Sequence, residues 1–321
     1  MKRPAKLKQG DEIRVIAPSR SIKILSDEGI QLAKQRLENL GFKVSFGKNT
    51  SISDLQQSSS IEQRIEDLHE AFADQQVKAV LTVIGGFNCN ELLPYINYQL
   101  LMENPKILCG YSDVTALANA ISTKCQFITY SGPHFSSFQM TGLQDYQTNY
   151  FIKCLMGAEP YQVYPSTHWS DDLWFLDQEN RVYEETEWKV YSAGETTGSL
   201  YGGNLCTLNL LQGTPYFPDI TDSILFIEDD ELTNPETFAR DLASLLQAAN
   251  GIKGLLIGRF QKVSRMTEEQ LYFILDKHPQ LKNIPVLYDI DFGHTQPSIT
   301  LPIGGTIHVH SNLRKVEIVN F

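Results

Sequence analysis

The feature that most constrains this fold is a regular alternation, in the first third of the chain, of short apolar runs with amphipathic helical segments. EIRVIAPS (12–19), FKVSF (42–46), AVLTVIGGFN (79–88) and KILCG (106–110) read as strands. Residues 27–40 carry Ile30, Ala33, Leu37 and Leu40 on one helical face, and Gly41 ends that helix. Residues 61–74 repeat the pattern with Ile61, Ile65, Leu68 and Phe72. The polar, serine-rich stretch 49–60 between them reads as an exposed loop. Short apolar strands separated by helices demand a parallel sheet covered on both faces. In such sheets ligands gather at the carboxyl ends of the strands, where Gly85-Gly86 and Ser112 both fall.

From about residue 160 the texture changes. WSDDLWFLDQENR (169–181) is aromatic and acidic, too polar for a core strand and rich in tryptophan for a linker. Gly-rich turns and strands follow: LYGGNL (200–205), SILFIEDDE (223–231), GLLIGRF (254–260), IPVLYDIDFGHT (284–295), TIHVH (306–310) and KVEIV (315–319). Helices are expected near 235–249 and 267–277. The expected organisation is α/β: an N-terminal parallel-sheet domain of flavodoxin/Rossmann-like type over 1–165, an aromatic-rich loop over 166–185, and a strand-rich C-terminal α/β domain over 186–321. At 321 residues either domain can bury its own core.

A net charge of −11 argues against nucleic acid or an anionic membrane as the main partner. The basic start lacks the apolar run of a secretory signal, and no stretch of about 18 apolar residues appears. Five scattered cysteines (89, 109, 125, 154 and 206) suit reduced thiols in a cytoplasmic protein and have no zinc spacing. There is no G-x-x-x-x-G-K-[ST], and no G-x-G-x-x-G follows the first strand, so phosphate-loop and dinucleotide readings fail.

The chemistry concentrates in Gly110-Tyr111-Ser112-Asp113, where an apolar strand passes straight into a helix former. A serine on such a turn either caps the helix, as Asp113 also can, or is presented as a nucleophile whose following amide joins an oxyanion hole. The glycines of Gly85-Gly86-Phe87-Asn88 let the backbone approach a ligand and offer a second oxyanion donor. A serine nucleophile needs a base and an acid to orient it. SILFIEDDE offers Glu228, Asp229, Asp230 and Glu231, with one of them at the strand terminus partly buried and the others in water. His294, on a tight turn after a strand, and His134, soon after the Ser112 helix, are rival bases. His308 and His310 share a strand face without a metal-binding partner beside them, His69 and His278 read as surface residues, and Cys109 reads as a core thiol.

Taken together, VIAPS (15–19), DLHEAF (67–72), VIGGFN (83–88), NPKILCGYSDVTAL (104–117), YSGPHF (130–135), WSDDLWFLDQENR, GGNL (202–205), LLQGT (210–214), FIEDD (226–230), IGRFQK (257–262) and DFGHT resemble the LD-carboxypeptidase family of serine peptidases. The likeness spans the whole chain and is greater to the microcin C immunity (MccF-like) branch. It implies a Ser–Glu–His triad on Ser112, Glu228 and His294, with amides near Gly86 and at Asp113 as the oxyanion hole and the site formed where the domains meet. The resemblance implies either cleavage of an amino acid or peptide from a nucleotide-like group or removal of terminal D-alanine from murein tetrapeptides. Trp169, Trp174 and Phe175 then become candidate platforms for a nucleobase, with Gly85 and Asn204 as further substrate contacts; packing of an interdomain seam is the other role open to these aromatics. No metal or organic cofactor is implied, and a homodimer is what the family suggests.

Overall fold

The computed structural model describes residues 1–249 and 251–321. Its first half runs β1 (Glu12–Ile16), α1 (Asp27–Asn39), β2 (Lys43–Phe46), α2 (Ile61–Ala73), β3 (Val77–Thr82), α3 (Tyr98–Glu103), β4 (Ile107–Cys109), α4 (Val114–Cys125), β5 (Thr129–Ser131) and α5 (Gln144–Leu155). Local chemistry sets the helix ends. Ser26 accepts from the Gly29 amide at the start of α1, Ser60 and Gln63 form a reciprocal capping box on α2, and Gly41 turns the chain after α1 at φ +94°. Ala33 and Leu37 of α1, and Ile65, Leu68 and Phe72 of α2, are buried, as their helical spacing requires.

The second half contains β6 (Tyr161–Val163), the short pair β7 (His168–Trp169) and β8 (Glu184–Glu185), β9 (Lys189–Ser192), β10 (Glu195–Asn204), α6 (Leu205–Asn209), β11 (Ile224–Glu228), α7 (Pro235–Ala248), β12 (Gly254–Gly258), α8 (Glu268–Leu275), β13 (Val286–Ile290), β14 (Leu301–Ile303), β15 (Thr306–His310) and β16 (Lys315–Asn320). Two large sheets result. One has six strands in the order β14-β5-β4-β3-β1-β2, its first five strands in sequence all parallel. The other has eight, β6-β16-β15-β10-β11-β12-β13-β9, with parallel β10–β13 flanked by antiparallel strands.

Two apolar runs leave the sheet earlier than their hydrophobicity suggests. Residues 17–19 and 83–88 continue as loops beyond β1 and β3, although Ala17, Ser19 and Val83 are buried. The Val83 amide makes a last bond to Ile16, after which both chains bend to carry backbone over the sheet's carboxyl edge. The polar segment 144–155, unassigned from its periodicity, forms α5 and buries Tyr150, Phe151 and Leu155.

The sheets meet across α4. Asn119 donates to the Gly202 carbonyl (2.9 Å) and the Asn204 amide to Thr115 Oγ1 (3.0 Å). Gly203 has no alternative here, because a Cβ would lie 2.4 Å from Thr115 Oγ1. Helix α4, which follows Ser112, is thereby clamped onto the strand beside the one that ends at Glu228. Strands are also shared: β14 adds antiparallel to β5, so a C-terminal segment completes the N-terminal sheet.

Candidate active site

Ser112 sits between β4 and α4 with φ +60°, a left-handed conformation that costs a non-glycine residue about 1–3 kcal/mol. The bend is possible because position 110 is glycine: a Cβ there would lie 2.2 Å from Thr82 Oγ1. Asp113 occupies the N-cap position of α4, but its side chain makes no capping hydrogen bond there. Ser112 Oγ lies 3.1 Å from His294 Nε2, and His294 Nδ1 lies 2.6 Å from Glu228 Oε2. Glu228 ends β11 and is 3% exposed. His294 follows Gly293 (φ +101°), where a Cβ would come within 2.8 Å of the Glu228 side chain. Histidine and carboxylate meet only because glycine precedes the histidine.

Burial works against the His294 imidazolium, but the charge and hydrogen bond of Glu228, aided by Asp230 and Glu231, outweigh it and push its pKa up to about 9. The acidic run differs from expectation. Asp229 is buried along with Glu228, its carboxyl oxygens have no hydrogen-bond partner among the described residues, and burial beside Glu228 raises its pKa to about 8. Only Asp230 and Glu231 reach solvent, since the chain turns outward after β11.

The turn carrying His294 is fixed from beneath by Asp291, which sequence reading overlooked. Fully buried, Asp291 accepts from the Ser166 amide (2.9 Å) and hydroxyl (3.0 Å), Trp188 Nε1 (2.9 Å), Arg259 Nη2 (3.1 Å) and the Tyr146 hydroxyl (3.3 Å). An aspartate inside DFGHT, with a tryptophan and an arginine elsewhere, gives no local signal of such a hub.

The rival base, His134, is elsewhere. It is buried, its Nδ1 lies 2.7 Å from Thr82 Oγ1, and its ring stacks on Tyr111 at 4.4 Å. Burial and the nearby His294 drive its pKa down to about 3, so it stays neutral. Tyr111 stands between the two histidines, with its ring 5.3 Å from that of His294.

Gly85 passes directly against the serine: a Cβ there would lie 2.8 Å from Ser112 Oγ and 3.6 Å from the Asp113 amide nitrogen. The following loop is held by the Asp113 carboxylate, whose Oδ2 accepts from Ser19 Oγ (2.6 Å), the Asn88 amide (2.9 Å) and the Cys89 amide (3.0 Å). Gly86 packs so closely on Ser19 that a Cβ would fall 2.3 Å from its hydroxyl. Asp113 thus ties the glycine loop to the helix start while its own amide stays free of the side chain.

Segment 169–183 is an anchored strap. Ser170 and Gln296 exchange both backbone hydrogen bonds (2.8 and 2.9 Å), and Asp171 accepts from the Lys262 amide (2.6 Å) and Gln261 Nε2 (3.0 Å). On the other side Gln178 accepts from the Thr141 amide (2.7 Å) and donates to the Gln139 carbonyl (3.0 Å). Beneath it lies a cavity of about 610 Å³ lined by Tyr111, Met140, Trp174, Phe175, His294 and Gln296, among others. Trp169 is not in it. Its ring lies under Arg259 (4.8 Å) and Lys262 (5.2 Å), in a separate depression, because β7 pairs with β8 and turns the residue away. Asn204 does not line the cavity either. It is buried beside Glu228 in the strand register, with Oδ1 accepting from the Thr207 amide (3.1 Å) at the start of α6.

His308 and His310 have a carboxylate neighbour after all, Glu195 on the adjacent strand (3.1 and 3.9 Å). Even so, among the described residues no group of three or more His, Cys, Asp or Glu side chains is disposed to hold a metal ion, and no helix is long and apolar enough to cross a membrane.

Comparison with known proteins fits this architecture. The LD-carboxypeptidase N-terminal domain matches residues 13–132 and the LD-carboxypeptidase C-terminal domain residues 197–309. The putative carboxypeptidase YocD of Bacillus subtilis (strain 168) is 49% identical over 310 residues, 96% of this chain and 95% of its own length. The crystal structure of an MccF-like protein from Bacillus anthracis str. Ames superposes with a TM-score of 0.98 at 48% identity, covering 100% of both chains. The microcin C7 self-immunity protein MccF in complex with aspartyl sulfamoyl adenosine superposes with a TM-score of 0.89 at 30% identity, over 99% of this chain and 98% of that one. Relatives of both kinds, murein tetrapeptide carboxypeptidase and MccF, align over most of their lengths. With both domain models matched in order, this chain belongs to the LD-carboxypeptidase family of serine peptidases.

Proposed function

We propose that this chain is a serine hydrolase that cleaves the bond between an amino acid or peptide and a nucleotide-like group, with Ser112, His294 and Glu228 as its triad. The observation that carries the reading is that Trp174 and Phe175 line the same cavity as His294. Aromatic faces beside the reacting atoms suit a substrate with a base to stack, and stacking contributes about 1–3 kcal/mol per base. Complexes of MccF with an aminoacyl sulfamoyl nucleotide support the same substrate class.

In this mechanism His294 Nε2 takes the proton of Ser112 as Oγ bonds to the scissile carbonyl carbon. The carbonyl electron pair moves to oxygen, which the amides of Gly86 and Asp113 stabilise. As the carbon–nitrogen bond breaks, His294 returns its proton to the leaving nitrogen. Water then attacks the acyl-enzyme and gives its proton to His294, which passes it to Ser112 Oγ as the ester bond breaks and the acid departs. Glu228 orients the imidazole and stabilises its charged form. The nucleophile comes from an N-terminal domain (1–165) and the other two groups from a C-terminal domain (186–321), so neither part is competent alone. The proposal includes a cytoplasmic setting, in keeping with five free thiols, and a homodimer on the family resemblance alone.

The test is hydrolysis of an aminoacyl-sulfamoyl adenosine beside a tetrapeptide ending in L-Lys-D-Ala, with Ser112→Ala as control. Cleavage of the conjugate, lost by about 10⁴-fold or more in Ser112→Ala, supports the proposal. Cleavage of the tetrapeptide alone replaces it with murein LD-carboxypeptidase activity and leaves Trp174 a packing role.

A further inference from the structure

We propose that Arg20, laid on the ring of Phe87, reads a carboxylate on the acyl residue of the substrate, the amino acid whose carbonyl Ser112 attacks. The inference rests on the roles proposed above for Ser112, His294 and the Gly86 amide. Those roles set a direction. The leaving nitrogen takes its proton from His294, so the leaving half lies in the cavity with Trp174 and Phe175. The carbonyl oxygen faces the Gly86 and Asp113 amides. The remaining substituent, the acyl residue, therefore runs away from His294 along Gly85-Gly86.

Arg20 and Phe87 stand at that end. The Arg20 amide lies 3.4 Å from the Gly85 carbonyl, and its Cγ is 3.0 Å from where a Cβ on Gly86 would be. The guanidinium carbon lies 5.2 Å from the centre of the Phe87 ring, which is itself 66% exposed. Other cations around the site are occupied: Arg181 by Asp172, Lys262 by Glu184, Arg259 by Asp291 and Arg64 by Glu91. Arg20 has no ion pair or side-chain hydrogen bond among the described residues. Asp113, the carboxylate that holds the adjacent Ser19, is already taken by that hydroxyl and two amides. An arginine without an ion pair among the described residues, placed over an aromatic ring in a chain of net charge −11, is suited to a planar anion it can grip with two parallel N–H bonds. That carboxylate has two possible sources: an aspartyl or glutamyl residue of a nucleotide conjugate, or the side-chain carboxylate of a diaminopimelyl residue in a murein peptide.

Two matched substrate pairs separate the sources: glutamyl- against glutaminyl-sulfamoyl adenosine, and tetrapeptides with diaminopimelate against lysine before the terminal D-Ala. Within the series the enzyme cleaves, the carboxylate-bearing member is expected to have a kcat/KM about tenfold higher or more, mostly in KM. Arg20→Ala should bring that ratio near one, and Arg20→Lys should restore part of it, because charge without the planar fork gives a weaker grip. Melting curves confirm that the variants are folded, and Phe87→Ala, which leaves the charge but removes its platform, should lower the ratio partway. A wild-type ratio near one, or one unmoved by Arg20→Ala, overturns the inference. Wild-type cleavage of tetrapeptides alone overturns the nucleotide reading, while Arg20 is then judged by the diaminopimelate-to-lysine ratio. An enzyme that cleaves neither series sinks the catalytic reading and this inference together.

Discussion

Glu228 dominates the acid–base behaviour of the site. Its carboxylate stabilises the His294 imidazolium, so the neutral base accumulates only toward high pH, and kcat/KM is expected to rise along a limb near pH 9. Glu228→Gln removes the largest charge acting on the imidazole and leaves burial opposed only by the weaker fields of Asp230 and Glu231, so the limb should move well below pH 9 and the maximum rate should drop. A pH–rate profile in which the limb does not move refutes this coupling. Because the folded-state pKa is raised, the pair's stabilisation is fully present below about pH 6.5 and is lost as pH rises through about 9. Denaturant titrations at pH 6 and pH 10 should differ by at most about 3 kcal/mol from this pair. Gly85 acts by absence. Gly85→Ala places a methyl 2.8 Å from Ser112 Oγ and 2.9 Å from its Cβ, so turning the hydroxyl cannot clear it, the serine must shift off His294, and kcat should fall by about 100-fold in steady-state kinetics.

At the level of elements, the strap divides its aromatics. Trp174 and Phe175 line the cavity, whereas Trp169 lies under two cations outside it. Trp174→Ala should raise KM for a nucleotide conjugate by about tenfold and leave a tetrapeptide unaffected, while Trp169→Ala should leave KM for both unchanged. Steady-state kinetics on the two substrates checks both statements, and equal effects of the two substitutions count against the assignment. Helical spacing, capping residues and apolar runs made α1, α2 and the strand cores readable from sequence, because each depends on neighbours within a few residues. The strap's geometry was not readable. Its direction is set by Asp171 and Gln178 reaching partners 91 and 37 residues away.

Across the whole molecule, the Asp291 hub and β14 hold the two sheets in one arrangement. Tyr146 of α5 and Arg259, just past β12, meet on one buried carboxylate, and Leu301 and Ile303 are almost wholly buried against the N-terminal sheet. Asp291→Ala leaves the Arg259 guanidinium buried without its counter-charge, which should cost about 3–5 kcal/mol by denaturant titration. Because His294 stands three residues further on, turnover should fall as well. A stable, fully active variant would show that the hub does not position the histidine.

By itself the sequence determined the α/β class, the strand–turn–helix that bends at Ser112, and the small set of residues able to do acid–base chemistry. These follow from periodicity and residue type, which act locally. Residue types and spacing left His134 and His294 as rival bases, and where the family resemblance pointed to His294 the tertiary structure brings that histidine to the serine; it also decided that Asp229 is buried with Glu228 and which tryptophan faces the cavity. Those outcomes depend on packing between segments up to 182 residues apart, as with Ser112 and His294, where burial and distance, not spacing along the chain, fix the chemistry.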